Sequence, residues 1–507
     1  MEEIINYENK SKEELIDLLK RQSEQIKTLT EYLALARQRQ FGTKSEKFNA
    51  NQLNFFDEAV LPKNPEIILQ AEDEICVASF VRKKSPGRKA LPSDLPRETI
   101  VYDLPEEEKI CTCGCALTHI FDDKSEQLEI IQPKIYVIQH VRKKYACREC
   151  EETIKTAPYP KQPIPRSIAA PGLLSHVLVS KFQDHLPLYR QEQILRRIGV
   201  DIPRATLSLW VIRCAELLKP LTKFLHKYIM SYDVAYSDET TLQVLKEPNK
   251  TVQSKKYMWL FAGGSPDKFA FYYHYHPDRS HTVPKEFFAD YKGYLHCDGF
   301  PGYETLATKN NNITLSGCMY HARRKFVEVA KLSKNKDSVS MTVVNYIGQL
   351  SKIEEEIKEL TAEKKLAERE EKAKPVLDEL YEYLVNKAPY IPPKSSLGQA
   401  VSYTLNQWPK LLIYLKDGRL ENNNNRMERA IKPFVIGRKG WLFADSVAGA
   451  NAASIIYSFV ETCKWHGIEP YDWFKYVLKT LPLCSEHDDL ELLLPFNIDK
   501  KLLLARG

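Results

Sequence analysis

The chain has 507 residues, too many for one hydrophobic core, and at about 150 residues per domain it divides into three or four units. Hydrophobic residues make up 43%, enough for globular domains, while a net charge of +6 is small for this length, so nucleic-acid binding has to come from local basic clusters. No apolar run approaches the ~18 residues that span a bilayer, and Met1-Glu2-Glu3 is no secretion signal, so the expectation is a cytoplasmic protein without membrane contact or disulfides.

The first element is a helix. Leu15, Leu19, Gln22, Ile26, Leu29, Leu33 and Ala36 recur at alternating steps of four and three, the seam of a coiled coil. This predicts a helix over 11–39 within a segment 1–48, and a homo-oligomer formed through it. Residues 49–99 read as a poorly packed linker with a basic patch, Val81 to Lys89, around Pro86-Gly87. Eleven cysteines in a reduced chain call for another role, and five of them fall within 100–157. Cys147-Arg-Glu-Cys150 has the spacing of a zinc knuckle, and Cys111-Thr-Cys113-Gly-Cys115 supplies the partner pair. The glycine after Cys113 favours Cys111 with Cys113, and Cys115 can replace Cys113. Four thiolates would close the Zn2+ site and make it structural. Val137 to Tyr145 alternates apolar and basic residues, which predicts a strand with one face toward phosphate.

Residues 165–228 read as a helical, helix-turn-helix-like segment. Leu188 to Ile198 is amphipathic, Gly199 breaks it, and Arg204 to Trp210 follows with Arg204, Thr206 and Ser208 set to meet DNA. From 229 to 335 apolar residues alternate. Tyr257 to Phe261 and Phe269 to Tyr275 read as adjacent strands joined by a Gly263-Gly264-Ser265-Pro266 turn. Residues 340–390, within a helical insertion set at 336–400, are strongly helical, with Lys/Glu-rich faces and no glycine between Gly348 and Gly398. Residues 421–480 return to mixed structure and end in a helix around Trp473 to Leu481; the second part of the core is set at 401–462 and a C-terminal helical segment at 463–507. The fold class is multidomain α+β or α/β, a mixed sheet flanked by helices.

Three acids stand in distinctive contexts. Asp238 sits in an alternating strand, Val234 to Leu242; Asp298 ends an apolar strand at Asp-Gly; Glu428 lies in the helix-forming Asn425-Arg-Met-Glu-Arg-Ala-Ile-Lys432. Two strand-borne aspartates and one helix-borne glutamate converging on a point would suit phosphodiester chemistry. A hard cation takes oxygen donors, and it relieves the mutual repulsion of clustered carboxylates.

The chain resembles the transposases of the insertion sequence 66 family. The matching stretches run in order along it: Gly87-Arg-Lys-Ala-Leu-Pro, Tyr145-Ala-Cys-Arg-Glu-Cys150, Asp184-His-Leu-Pro-Leu-Tyr-Arg-Gln191, Asp238-Glu-Thr240, Asp298-Gly-Phe-Pro-Gly-Tyr303, His321-Ala-Arg-Arg-Lys-Phe326, and Glu428-Arg with Gly437-Arg-Lys-Gly-Trp-Leu-Phe443. The resemblance implies a leucine-zipper-like N-terminus, a zinc-binding domain and an RNase H-like catalytic core. It also implies a helical insertion between the second aspartate and the glutamate, with Asp238, Asp298 and Glu428 as the acidic triad. The sequence departs from the family at Asn423, where an aspartate is usual, leaving Glu421 as an inferior ligand; the first zinc knuckle is one residue short.

The expected function is therefore that of an insertion-sequence transposase. It would use Mg2+ or Mn2+ to cut double-stranded element ends and join them to target DNA, with accessory proteins of the same element as further partners. Arg204, Arg323, Arg324, Arg438 and Lys439 are the expected DNA contacts, and His321 reads as a structural histidine. The rival readings are a stand-alone nuclease on the same core and a zinc-containing DNA-binding regulator without catalysis.

Overall fold

A computed structural model describes residues 135–146, 154–331, 338–485 and 489–504, with scattered positions of a helix between 11 and 26. Contacts divide the chain into two units, Leu53–Tyr159 and the remainder, Met1–Gln52 with Pro160–Gly507. Among the described positions of the N-terminal helix, Leu19 and Ile26 on the predicted seam are each 64% exposed.

In the smaller unit, β1 (Lys144–Ala146) and β2 (Ile154–Thr156) pair antiparallel. The expected strand from Val137 is thus confined to its end. Every side chain from Ile135 to Tyr145 is exposed, so the apolar face has no described surface to pack on, and burial is what fixes a strand's pairing. Arg142 is engaged rather than free: its Nε donates to the Ala157 carbonyl at 2.7 Å.

The larger unit opens with α1 (Pro171–Phe182), whose first-turn proline loses no helical hydrogen bond. Helix α2 (Leu188–Arg197) follows, and Gly199 makes the bend at φ +83°. Helix α3 (Arg204–Met230) is far longer than a recognition helix, because its buried stripe (Leu207, Val211, Cys214, Leu218, Leu221, Leu225, Ile229) never breaks. Both helices of the helix-turn-helix pattern are present, but the second is a core helix whose first residue, Arg204, is exposed.

The sheet comprises β3 (Val234–Leu242), β5 (Lys256–Gly263), β6 (Ala270–His276), β7 (Gly293–Cys297) and β8 (Ile313–Gly317), in the order β6-β5-β3-β7-β8; β4 (Val244–Lys246) lies outside it. β5 runs antiparallel to β3 and β6, whereas β3, β7 and β8 are parallel. The expected hairpin is present, turning at Gly264 (φ +109°), where a Cβ would meet the Lys268 carbonyl oxygen at 2.5 Å. Helix α4 (Thr282–Phe287) precedes β7, α5 (Pro301–Lys309) links β7 to β8, and α6 (Met319–Ala330) follows β8.

The helical insertion falls between Asp298 and Glu428. It holds α7 (Val339–Glu356), α8 (Ala362–Glu368), a π-helical turn (Arg369–Ala373) and α9 (Lys374–Lys387). Helix α10 (Ser396–Leu411) then runs back toward the sheet. Helix α11 (Asn425–Trp441) packs on β3. Short β9 (Ala444–Ser446) pairs with β4 and leads to α12 (Val447–Trp465), α13 (Pro470–Thr480) and α14 (Lys500–Leu504). The mixed structure expected for the second part of the core is almost wholly helical. Small residues (Ala450, Ala453, Ser454, Ser458) let α12 lie close to the sheet. Its hydroxyls also close the β6 edge: Tyr273 N–H donates to Ser458 Oγ at 2.8 Å and Phe271 N–H to Thr462 Oγ1 at 3.2 Å. Among the described residues no helix is long and apolar enough to cross a membrane.

Candidate active site

Parallel pairing brings the two aspartates together. The β3–β7 register sets Tyr236 opposite His296, so two residues further on Asp238 falls beside Asp298, at the C-terminal edge of the parallel strands. Open sheets with parallel strands place ligands at that edge. Glu428 enters from the first turn of α11, where the helix dipole favours a carboxylate.

The start of α11 is cross-tied to its surroundings through the asparagine run. Met319 N–H donates to the Asn422 carbonyl at 2.8 Å, Asn424 N–H to Cys318 Sγ at 3.2 Å, and Asn424 Nδ2 to Asp238 Oδ2 at 3.4 Å. The guanidinium of Arg426 lies over the rings of Tyr236, Phe269 and Trp465 and pairs with Glu421 at 2.8 Å. Glu421 is therefore a partner of Arg426.

Each aspartate has one oxygen fixed and one less firmly held. Asp238 Oδ1 accepts from the Glu239 N–H at 2.8 Å, and Asp298 Oδ1 from the Phe300 N–H at 2.9 Å. Asp298 Oδ2 meets Arg279 Nη2 at 3.3 Å, and Glu428 Oε1 lies 3.7 Å from Arg324 Nη2. Glu239 is the more tightly bound acid, with Arg279 Nε at 2.6 Å and the Tyr303 hydroxyl donating at 3.1 Å.

Burial and crowding shift these groups together. The Asp238 carboxyl is raised well above 3.8, by burial first and then by the charges of Glu239, Asp298 and Glu428. Glu239 is pushed up to about 7 by burial and by Asp298, against the opposing pull of Arg279 and Tyr303. Burial also raises Glu428, opposed by Arg324. His321 is held below 6.5 by burial, with Asp298 opposing and Arg324 adding, and its Nδ1 is buried without a hydrogen-bond partner.

These shifts predict how stability varies with pH. A carboxyl whose folded value lies above its unfolded value stabilises the fold fully below the unfolded value and loses that contribution as pH rises through the folded one. For Glu239 the window runs from 4.5 to about 7. The metal-free Glu239→Gln variant should gain stability relative to wild type as pH rises from about 5 to about 8, a trend read from paired thermal melts. A constant difference between the two proteins would contradict it.

Among the described residues no three His, Cys, Asp or Glu side chains stand close enough together to hold a metal ion as they are placed. The acids converge electrostatically, with Arg279, Arg324 and Asn424 each holding an oxygen. The donor set nevertheless fits a hard cation: every donor is oxygen, the carboxylates repel one another, and Asn424 Oδ1 is buried beside them without a partner.

The expected DNA contacts scatter. Arg324 reaches the acids. Arg323 lies half-buried on α6, while Arg204 and Lys439 are exposed on α3 and α11. Arg438 is a strut: it donates to the Thr241 carbonyl and lies 3.1 Å from Thr241 Oγ1, bracing the end of β3. Cys111, Cys113, Cys115, Cys147 and Cys150 lie outside the described residues. Sequence reasoning assigned no role to Glu239, Tyr303, Asn424 or Arg279. The first two sit inside motifs already singled out, whereas Arg279 follows β6 in a loop with no pattern to mark it.

Comparison with known proteins agrees along the chain. The family model described as Transposase IS66 family matches residues 166–452. Models for a zinc-finger binding domain of transposase IS66, Transposase C of IS166 homeodomain and the IS66 C-terminal element match 108–151, 28–100 and 458–496. Curated relatives come from Sinorhizobium fredii. Uncharacterized protein y4jD is 34% identical over 80% of this chain and 81% of its own length. Uncharacterized protein y4qI is 30% identical over 94% of this chain and 89% of its own. The chain belongs to the IS66 family of transposases.

Proposed function

We propose that this IS66-family transposase cuts and joins DNA at Asp238, Asp298 and Glu428, acting as an acidic triad on an RNase H-like core. The observation that carries the reading is the convergence of the three acids: the strand register sets the aspartates side by side, and the charges of Asp298 and Glu428 both raise Asp238. A mixed sheet with its first long strand central, the antiparallel hairpin of β5 and β6 on one side and the parallel strands β7 and β8 on the other supports that core. The map of the chain follows: coiled-coil helix 1–48, linker 49–99, zinc module 100–157, helical segment 165–228, core 229–335 and 401–462 around the insertion 336–400, and C-terminal helices 463–507.

Asp238, Asp298 and Glu428 would hold Mg2+ or Mn2+, which when bound lowers the pKa of water and stabilises a leaving oxygen. The chain's own groups prepare that site. Backbone amides of Glu239 and Phe300 fix one oxygen of each aspartate, so the ligands are oriented beforehand. Asn424 ties the start of the Glu428 helix to Asp238. Glu239, poised about neutrality, can take or release a proton at the edge of the site. Water attacks the phosphorus at the element end, and the 3′ oxygen leaves and takes up a proton. That 3′ hydroxyl then attacks target DNA, one phosphodiester replacing another without ATP. Arg204, Arg323, Arg324 and Lys439 are the proposed phosphate contacts. Cys111, Cys113 (or Cys115), Cys147 and Cys150 are the proposed Zn2+ ligands, and the N-terminal helix the proposed self-association element.

The test is incubation of the full chain with labelled element-end DNA and a target duplex, with and without Mg2+ or Mn2+. Metal-dependent nicks followed by joined products are expected. Nicks without joining would make the protein a nuclease, and end binding without nicks would make it a regulator.

A further inference from the structure

Arg279 divides one positive charge between two acids. Its Nε lies 2.6 Å from Glu239 Oε1, whereas Nη2 reaches Asp298 Oδ2 only at 3.3 Å. The guanidinium rests on the ring of Phe300, 4.3 Å from its centroid, so a flat shelf and a near-buried carboxylate fix its position. Glu239 cannot readily serve as a ligand, because Arg279 holds one of its oxygens and the Tyr303 hydroxyl the other. Asp298 differs: a backbone amide holds Oδ1, and among the described residues Oδ2 carries only the long contact to Arg279. Four acids (Asp238, Glu239, Asp298, Glu428) crowd together here, and the guanidiniums of Arg279 and Arg324 pair with three of them.

Resting on the acid-triad reading above, we propose that Arg279 is the resident counter-ion of the site. It occupies Asp298 Oδ2 until a divalent cation takes that oxygen, and it stays docked on Glu239 and Phe300 afterwards. The short and long contacts assign these roles, since the exchange breaks only the weaker one. Arg279 thus holds like charges together without metal and sets the cation concentration at which the site assembles. It is a positioning residue that competes with the metal and carries none of the bond chemistry.

The experiment is calorimetric titration of the full-length protein with Mn2+, comparing wild type, Arg279→Gln, Arg279→Lys and Asp298→Asn. Arg279→Gln should bind Mn2+ about tenfold more tightly, a coupling of ordinary size between two sites. Its metal-free melting temperature should be lower than wild type, with the gap closing at saturating Mn2+. Should the glutamine variant fail to fold, Arg279→Lys keeps a charge for Glu239 but lacks the fork that reaches both acids, and it must also bind more tightly than wild type. Equal or weaker binding by the folded Arg279 variant overturns the counter-ion role while leaving the triad intact. Undiminished binding by Asp298→Asn, or none by wild type, overturns the triad reading and the counter-ion role with it.

Discussion

The Asp238→Asn variant is expected to lose DNA nicking by about a thousandfold or more, equivalent to about 4 kcal/mol of barrier, while melting no lower than wild type. The two effects together are diagnostic. Asparagine keeps the shape of the side chain, and its Oδ1 can still accept the Glu239 N–H now bound at 2.8 Å. It removes a buried charge that Glu239, Asp298 and Glu428 all oppose, so the metal-free fold gains rather than loses. A residue retained for packing behaves in the opposite way, because its replacement destabilises. End-labelled DNA with Mn2+ reads the nicking, thermal melts at about pH 8 read the stability, and a gel shift confirms that the ends are still bound. Nicking within tenfold of wild type would remove Asp238 from the triad.

Much of this site was legible because its scaffold is periodic. Alternation in Val234 to Leu242 put Asp238 on a strand, the apolar run to Cys297 put Asp298 just past a strand end, and helix-forming residues around Glu428 put it on α11. The hairpin was legible from its glycines. What escaped was set by tertiary contacts that leave no local pattern. Arg279 lies in an irregular loop. Asn424 lies in an asparagine run with nothing to single it out, yet it ties Asp238 to α11. Arg438 reads as one of a basic pair but braces β3 through Thr241. The full length of α3 was not legible for a related reason, since a turn, a glycine and an amphipathic start are shared by recognition helices and core helices alike.

Arg369 shows the same limit most sharply and carries the second large prediction. In sequence it is one base among the Lys/Glu-rich faces of the insertion. In the fold its side chain is 2% exposed, within a π-helical turn, where the widened backbone interrupts the α-helical register. All five of its N–H donors are used: Nε and Nη2 clasp Glu354 at 2.9 and 2.6 Å, Nη1 reaches the carbonyls of Tyr414 and Asp417 at 2.8 and 3.2 Å, and Nη2 also reaches Leu420 at 2.8 Å. That fork joins the insertion to the segment leading into Asn422–Asn424 and Glu428. Arg369→Met should therefore cost about 3–5 kcal/mol, since it strands a partly buried carboxylate and three carbonyls together. Urea unfolding reads the loss. Adding Glu354→Leu should restore part of it, because the stranded charge goes with its partner and the pair is replaced by apolar volume. If the single variant lost under about 1 kcal/mol, water would be satisfying those carbonyls and the fork would not be holding the segment. Where the double variant folds but the carbonyls stay unpaired, nicking should remain depressed at saturating Mn2+. The insertion then acts on catalysis by holding the chain that carries Glu428, which an inert spacer between the second and third acids would not do.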